Sequence, residues 1–369
     1  MHTLELASVM ARRGHAVTIV QSAGRLYERP ILERRLPVEV RTLSLGSVGL
    51  RSLGADIGVL VKGSFETGSA LSDAAHRLAF PRFVTIEHST PGALPPRPSI
   101  AAGLRPRFGI WWYREALRHR ARAPWPHLTI CVSEAVRTRL VTDSRFSPTR
   151  ARTVHNGVDI EQFSRSDVAR RQWREHWDIA ADALVFGAVG RLSPTKNFGV
   201  AVEGFVRATA AAKREAWLVL VGDGPQRGAI EAAAKTAGLG ARVVLPGPSA
   251  DPASIYSAFD VFVMPSVTEG LPFALLEGMA CECAPIAFAV GGIPEVLTDP
   301  AAGWLVPRAD GAAFASAMQD AALLRPDRLR EIGRAARATV AANFNAAVQY
   351  AVLADLLERE TGLPAFQKR

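Results

Sequence analysis

The second half of the chain alternates short apolar runs with amphipathic stretches, and that alternation predicts strand-then-helix units. From Thr153 onward a first strand is expected over Leu184–Val189, followed by the turn GRLSPTKN and an amphipathic helix over 198–212. A strand at 217–221, the turn GDGP, a helix at 226–237, a strand at 243–245 and a helix at 253–259 continue the series. The apolar run Val261–Met264 then reads as a buried strand, 272–281 as a helix, and Ala284–Phe288 as a strand ending in the turn AVGGIPE. Repeated strand-helix units imply a parallel sheet with helices on both faces, and they put every informative turn at the carboxyl end of a strand.

The first half is less regular but still α/β. Helices are expected at 3–12 and 110–122, and strands at 16–21, 57–61, 83–87 and 128–132, with a Pro- and Arg-rich loop over 91–107. A doubly wound domain ordinarily opens with a central strand and a Gly-rich loop, whereas this chain opens on a helix at Thr3. The expectation is therefore an α/β fold of two Rossmann-like domains whose first lacks its opening β-strand, with the true translation start upstream of Met1. The segment VHNGVDIEQF, Val154 to Phe163, has turn residues and sits where composition changes, so it is the expected hinge. Three parts follow: 1–155, 156–343, and a C-terminal helix at 344–369 packing back toward the first domain.

Composition narrows the class. The 369 residues, 48% hydrophobic and 7% aromatic, are enough for two domains with separate cores. Three cysteines make no even disulfide framework, and Cys281 and Cys283 fall in a helical pattern, which points to a reducing cytoplasm rather than a metal site. No apolar run approaches the roughly 18 to 20 residues that span a bilayer, and the N-terminus has the wrong order of charge and apolarity for a signal peptide. Charge is uneven: residues 1–150 carry 22 Lys and Arg against 11 Asp and Glu, and the rest carry 22 against 24. The first half is expected to meet something anionic. The stretch from Arg97 to Trp125 concentrates seven arginines with five aromatics and one acidic residue, Glu115, a composition suited to an anionic membrane surface or to a solvated basic face with its aromatics turned inward. Nucleic acid is the poorer partner, because the cluster is local and the second half is slightly acidic.

The candidate chemistry centres on PSVTEGLPFALLE, residues 265–277. It sets Glu269 and Glu277 eight residues apart around the start of a helix. Pro272 suits the first helical position, and Gly270 and Leu271 before it offer no capping side chain. The N–H groups of Phe273, Ala274 and Leu275 are then available to an anion, and the flanking carboxylates to hydroxyls of the same ligand, which suggests a nucleotide-sugar. Gly190, Arg191 and Lys196, in the first strand-helix turn, are candidates for a phosphate role; taken alone, surface Arg and Lys are usually just solvated. Gly291 and Gly292 allow a tight turn, and Glu295 opens a following helix with a favourable charge. His155 reads as structural, with Asn156 serving the turn.

With RRGHAVTIV, VSEAVRTRL, VHNGVDIEQF, VGRLSPTKN, LVGDGP and PSVTEGLPFALLEGMACECAPIAFAVGGIPEV in this order and spacing, the chain resembles the retaining family 4 glycosyltransferases, of GT-B fold, over nearly its whole length. The resemblance implies that Arg191 and Lys196 bind the donor diphosphate, the backbone around Gly270 and Leu271 binds phosphate and sugar, Glu277 holds the ribose hydroxyls, and Glu269 holds the donor sugar. His88 falls where the family often has a histidine contacting donor sugar or acceptor, and a pKa near neutrality would suit it there. The implied reaction moves a hexose from a UDP- or GDP-linked donor to a glycan or polyprenyl-diphosphate-linked acceptor, without metal or cofactor, at a cytoplasmic site on the inner face of the plasma membrane. No Asp-x-Asp motif or ligand cluster at metal spacing is present in the sequence, in keeping with charge supplied by Arg and Lys alone. A nucleotide-sugar 2-epimerase shares the fold and the diphosphate logic, and a catalytically inactive nucleotide-sugar-binding module fits a first domain without its strand.

Overall fold

The chain divides into two units at the segment where its composition changes: Met1–His155 with Val348–Arg369, and Asn156–Ala347. The computed structural model describes residues 2–21, 31, 35–42, 50, 52–62, 79–88, 126–144, 146–249 and 251–362. The loop at 91–107, the helix expected at 110–122 and the whole stretch from Arg97 to Trp125 lie outside them.

In the first unit the first described element is helix α1 (His2–Arg12). Its Leu4, Ala7 and Ala11, spaced to share one face, pack with Ile19 of β1 (Thr18–Gln21), with Val40 of the parallel strand β2 (Glu39–Thr42) and with Val38 just before it. Strand β2 went unanticipated because its charged residues interrupt the apolar pattern. A parallel sheet runs in the order β3 (Ile57–Lys62), β4 (Arg82–Glu87), β5 (Leu128–Cys131), β6 (Ala151–Thr153), with helix α2 (Glu134–Ser144) between its last two strands. Both β4 and β5 are buried almost throughout, as strands covered on two faces must be, and Thr85 and Thr129 satisfy each other across them at 2.9 Å.

The second unit opens with helix α3 (Asp167–His176), capped by Ser166, whose side chain accepts the Ala169 N–H. A six-stranded parallel sheet follows, built from β7 (Leu184–Val189), β8 (Ala216–Val221), β9 (Val243–Gly247), β10 (Val261–Met264), β11 (Ala284–Phe288) and β12 (Trp304–Val306). Its spatial order is β12-β11-β10-β7-β8-β9, so the winding reverses between β7 and β10. Open α/β sheets bind ligands outside the carboxyl ends of the strands at such a reversal. All four residues of β10 are buried, each contributing about 1.5–3 kcal/mol of apolar burial, which fixes the loop that leaves it.

Helices α4 (Phe198–Ala211), α5 (Arg227–Thr236), α6 (Pro252–Ile255), α7 (Phe273–Ala280), α8 (Ile293–Val296), α9 (Gly311–Leu323) and α10 (Pro326–Asn343) connect and cover the strands. The helix expected at 253–259 is instead α6 followed by a 3-10 turn, Tyr256–Ala258. The helix expected from Pro272 starts one residue later: Pro272 has ψ 122°, so it stands as the cap rather than the first helical residue. At the other end Cys281 is the C-terminal cap and Cys283 lies beyond the helix, because Glu282 turns the chain with φ 60°. Burial pushes both thiols up, Cys283 to about 12, so they remain inert thiols in the core.

The entry of β10 is anchored by charge. Asp260 accepts Arg170 Nη2 at 2.7 Å, Arg174 Nη2 at 3.0 Å and the Val185 N–H at 2.9 Å, tying α3 to the two strands beside the reversal. Arg174 is 2% exposed and also donates to the carbonyls of Ala181, Ala183 and Ala258; burial lowers its pKa to about 10. The last helix, α11 (Ala346–Thr361), belongs to the first unit from Val348 onward. There Glu358 takes Arg13 Nη1 and His15 Nε2, each at 3.0 Å, and Asp355 takes Arg13 Nη1 at 2.5 Å.

Candidate functional site

Four loops of the second unit meet at the carboxyl ends of β7, β8, β10 and β11, beside the reversal of the sheet. They hold one another through backbone groups. Leu192 donates its N–H to the Asp223 carbonyl at 2.9 Å, and the Gln226 N–H reaches the Leu192 carbonyl at 3.0 Å, joining the GRLSPTKN and GDGP turns. Gly222 makes that approach possible: at φ 138°, a Cβ there would lie 2.0 Å from the Gly190 carbonyl oxygen. The Val267 N–H reaches the Thr195 carbonyl at 2.9 Å, joining the first turn to the loop after β10, and the Gly292 N–H reaches the Gly270 carbonyl at 2.6 Å from the loop after β11.

Within this frame Lys196 and Glu269, 73 residues apart, form an ion pair of 2.6 Å, with the lysine 24% and the carboxylate 12% exposed. Arg191 is exposed on the same turn as Lys196, and its guanidinium makes no ion pair with any described residue. The Lys196 stem passes 3.6 Å from where a Cβ on Gly190 would sit, an ordinary van der Waals contact, so it is the φ of 158° and not the lysine that calls for glycine there.

The helix that follows is short and lacks a side-chain cap. Phe273 is its first residue. Glu277, one turn in, accepts the Tyr256 hydroxyl at 2.6 Å. Burial raises the Glu277 carboxyl above its usual value, against the opposing effect of the tyrosine hydrogen bond, and raises the Tyr256 phenol well above its own. Tyr256 was missed in the sequence, where it reads as one apolar position of a helix; its role comes from the 3-10 turn that aims it at Glu277. Asn156 does more than serve its turn: it is 1% exposed and its Nδ2 donates to the Leu271 carbonyl at 2.7 Å, fixing the backbone just before α7. Gly157 beside it would place a Cβ 2.6 Å from the Ala346 Cα, so the NGVD segment is held close to the chain leaving α10.

Gly190, Arg191, Lys196, Glu269, Gly270, Leu271, Phe273 and Glu277 thus all lie in one unit, on loops that touch or on the helix start beside them. His88 belongs to the first unit, directly after β4. Its expected pKa near neutrality is corrected by the structure. Burial pushes it down to about 4, so the imidazole is neutral at physiological pH.

Comparisons with known proteins bear on the family and the fold. Residues 1–162 match the model of the Glycosyltransferase Family 4 family, and residues 183–322 that of Glycosyl transferases group 1. Over 205 residues the chain is 33% identical to the D-inositol 3-phosphate glycosyltransferase of Saccharomonospora viridis, covering 52% of this chain and 46% of that one. Over 210 residues it is 31% identical to the putative colanic acid biosynthesis glycosyltransferase WcaL of Escherichia coli, covering 55% and 49%. The chain thus spans about half the length of these relatives. Anabaena HepE, solved in complex with UDP and glucose, superposes with a TM-score of 0.75 at 18% identity over 97% of this chain and 95% of that one. That likeness shows the fold, α/β with parallel sheets in two Rossmann-like units of the GT-B kind. One family model ends at 162 and the other begins at 183, so each half of the chain matches a glycosyltransferase family.

Proposed function

We propose that the protein is a retaining glycosyltransferase that moves a hexose from a nucleoside diphosphate sugar to a lipid-linked or polysaccharide acceptor. The observation that carries this reading is the Lys196–Glu269 pair beside the uncapped start of α7, one helical turn from Glu277. Arg191, Lys196 and the first N–H groups of α7 supply positive charge for a diphosphate, with no need of a metal. Glu277, already holding one hydroxyl from Tyr256, accepts a second from the ribose, and Glu269 accepts from the hexose. In the transfer the bond from the anomeric carbon to the leaving phosphate oxygen breaks. The acceptor oxygen bonds to the same face of that carbon, and its proton passes to the leaving phosphate. His88, neutral by burial, serves as a hydrogen-bond partner for sugar or acceptor rather than as a charged acid.

The activities of the relatives support a glycosyl transfer, and WcaL, a putative colanic acid enzyme, favours a polysaccharide product. HepE solved with UDP favours a uridine donor. An acceptor on a polyprenyl diphosphate would bring the protein to the cytoplasmic membrane face; no helix among the described residues is long and apolar enough to cross a membrane. The test is a thermal-shift screen of UDP- and GDP-sugars, followed by NMR of the anomeric configuration of the product. Stabilisation by no nucleotide-sugar, or an inverted product, defeats the reading. Conversion of the sugar with no acceptor present would instead identify a 2-epimerase.

A further inference from the structure

The second unit has another polar cavity, of about 380 Å³, at the end of the sheet opposite the four loops. Its walls come from the segments entering the strands: Asp182 before β7, Arg214 before β8, Asp260 before β10 and Glu282 before β11, closed by Arg165 and by Arg330 of α10. Their charges are not matched to one another. Asp260 is engaged by Arg170 and Arg174. Arg165 is 13% exposed, and its ion-pair partner is Asp167, a largely exposed carboxylate 3.6 Å away. Arg330 forms no ion pair with a described residue, and neither Asp182 nor Glu282 pairs with any of these arginines.

Arg214 is the decisive group. Its Nη1 reaches the Asp182 carbonyl oxygen at a long 3.4 Å, while its Nη2 is buried with no hydrogen-bond partner among the described residues. A buried guanidinium N–H without an acceptor is costly, and each such group in a native fold calls for an explanation. That nitrogen has no exposed surface, so an anion in the cavity meets it once the guanidinium turns, which the single long bond of Nη1 permits. Guanidinium forks match the oxygens of phosphate in pairs, and three of them, Arg165, Arg214 and Arg330, line one space large enough for a phosphate and a small substituent.

We propose that this cavity is a second anion site, taking inorganic phosphate or the phosphate of a small monoester, separate from the loops assigned to the donor. It stands whether or not the proposed reaction does, since it uses none of the same residues. The whole protein is titrated with sodium phosphate against sodium chloride at matched ionic strength, followed by Tm and by 31P line broadening. A parallel arm uses glycerol phosphate, and Lys196→Ala disables the donor loops. The expected result is a phosphate-specific rise in Tm shared by the wild type and Lys196→Ala, with affinity reduced about tenfold or more in Arg214→Gln and in Arg330→Gln. Should Arg214→Gln unfold the protein, Arg330→Gln, on an exposed helix face, carries the test. Tighter binding of glycerol phosphate identifies a monoester ligand, and equal binding identifies phosphate itself. Identical Tm in phosphate and chloride overturns the proposal, as does a phosphate response lost in Lys196→Ala but unchanged in both arginine variants.

Discussion

Lys196 Nζ lies 2.6 Å from Glu269 Oε1, so the cation assigned to the donor diphosphate and the carboxylate assigned to the donor sugar hold each other. The two roles are therefore coupled: a diphosphate drawing on Lys196 competes with Glu269 for it. In Glu269→Gln the lysine is released from its anion, and affinity for a nucleoside diphosphate without sugar is expected to rise about three- to tenfold, while turnover falls by roughly 10². Lys196→Ala weakens the same diphosphate about tenfold or more. Calorimetric titration of both variants and the double variant gives the coupling; strictly additive effects would show that the two side chains act independently.

The Tyr256–Glu277 hydrogen bond predicts a pH effect with a definite sign. Burial raises the Glu277 pKa, so on acidification this carboxylate is protonated above the ordinary glutamate range, and donor binding through it is lost earlier than a free glutamate would lose it. For stability the sign is opposite. The unfolded chain gives up this proton first, so the contribution is full below the unfolded value of 4.5 and declines as pH rises through the folded one. Glu277→Gln is thus expected to lose donor binding at every pH, with no loss of stability at neutral pH. Tyr256→Phe leaves Glu277 without its hydroxyl partner and costs about 1–2 kcal/mol. Urea unfolding and donor titration at pH 5 and 8 separate the two effects.

His88 gives a third expectation. A folded pKa of about 4 against the ordinary 6.5 of a histidine leaves the ring neutral between pH 5 and 8, so no limb of the activity profile in that range belongs to it. Its contribution to stability is full above 6.5 and is lost as pH falls toward 4, because the unfolded chain binds the proton more readily. An NMR titration of the His88 ring with a midpoint near 6.5 would contradict this.

How far the sequence could be read depended on the reach of each interaction. Strands such as Leu184–Val189 and Ala284–Phe288 are apolar throughout and bounded by turn residues, so their limits follow from local pattern alone. Trp304–Val306 is three residues long with its middle residue exposed, and Glu39–Thr42 is charged, so neither stands out. Glu269, Lys196 and Glu277 stand out as candidates because their motifs place them at loop and helix starts. Tyr256, and the hydrogen bond of Asn156 to a carbonyl 115 residues away, arise from tertiary placement that no spacing encodes. The burial of His88 belongs with these, since a strand-end histidine reads the same whether buried or wet.

The last prediction concerns Gly291, at φ 55°, where a Cβ would lie 1.9 Å from the Glu269 carbonyl oxygen and 3.1 Å from that of Gly270. Alanine there is strained twice. The left-handed conformation costs of order 1 kcal/mol, and backbone cannot move aside as a flexible side chain can. The loop after β11 is therefore expected to shift, breaking the Gly292 N–H to Gly270 carbonyl bond that steadies the backbone beside Glu269. Gly291→Ala should lose about 2–3 kcal/mol of stability and most of its turnover. Gly199, in α4 with open space around its Cβ position, is the control: Gly199→Ala should be neutral or stabilising by up to about 1 kcal/mol, with turnover unchanged. Equal behaviour of the two variants in chemical unfolding would mean that the contact of Gly291 with Glu269 does not govern the loop.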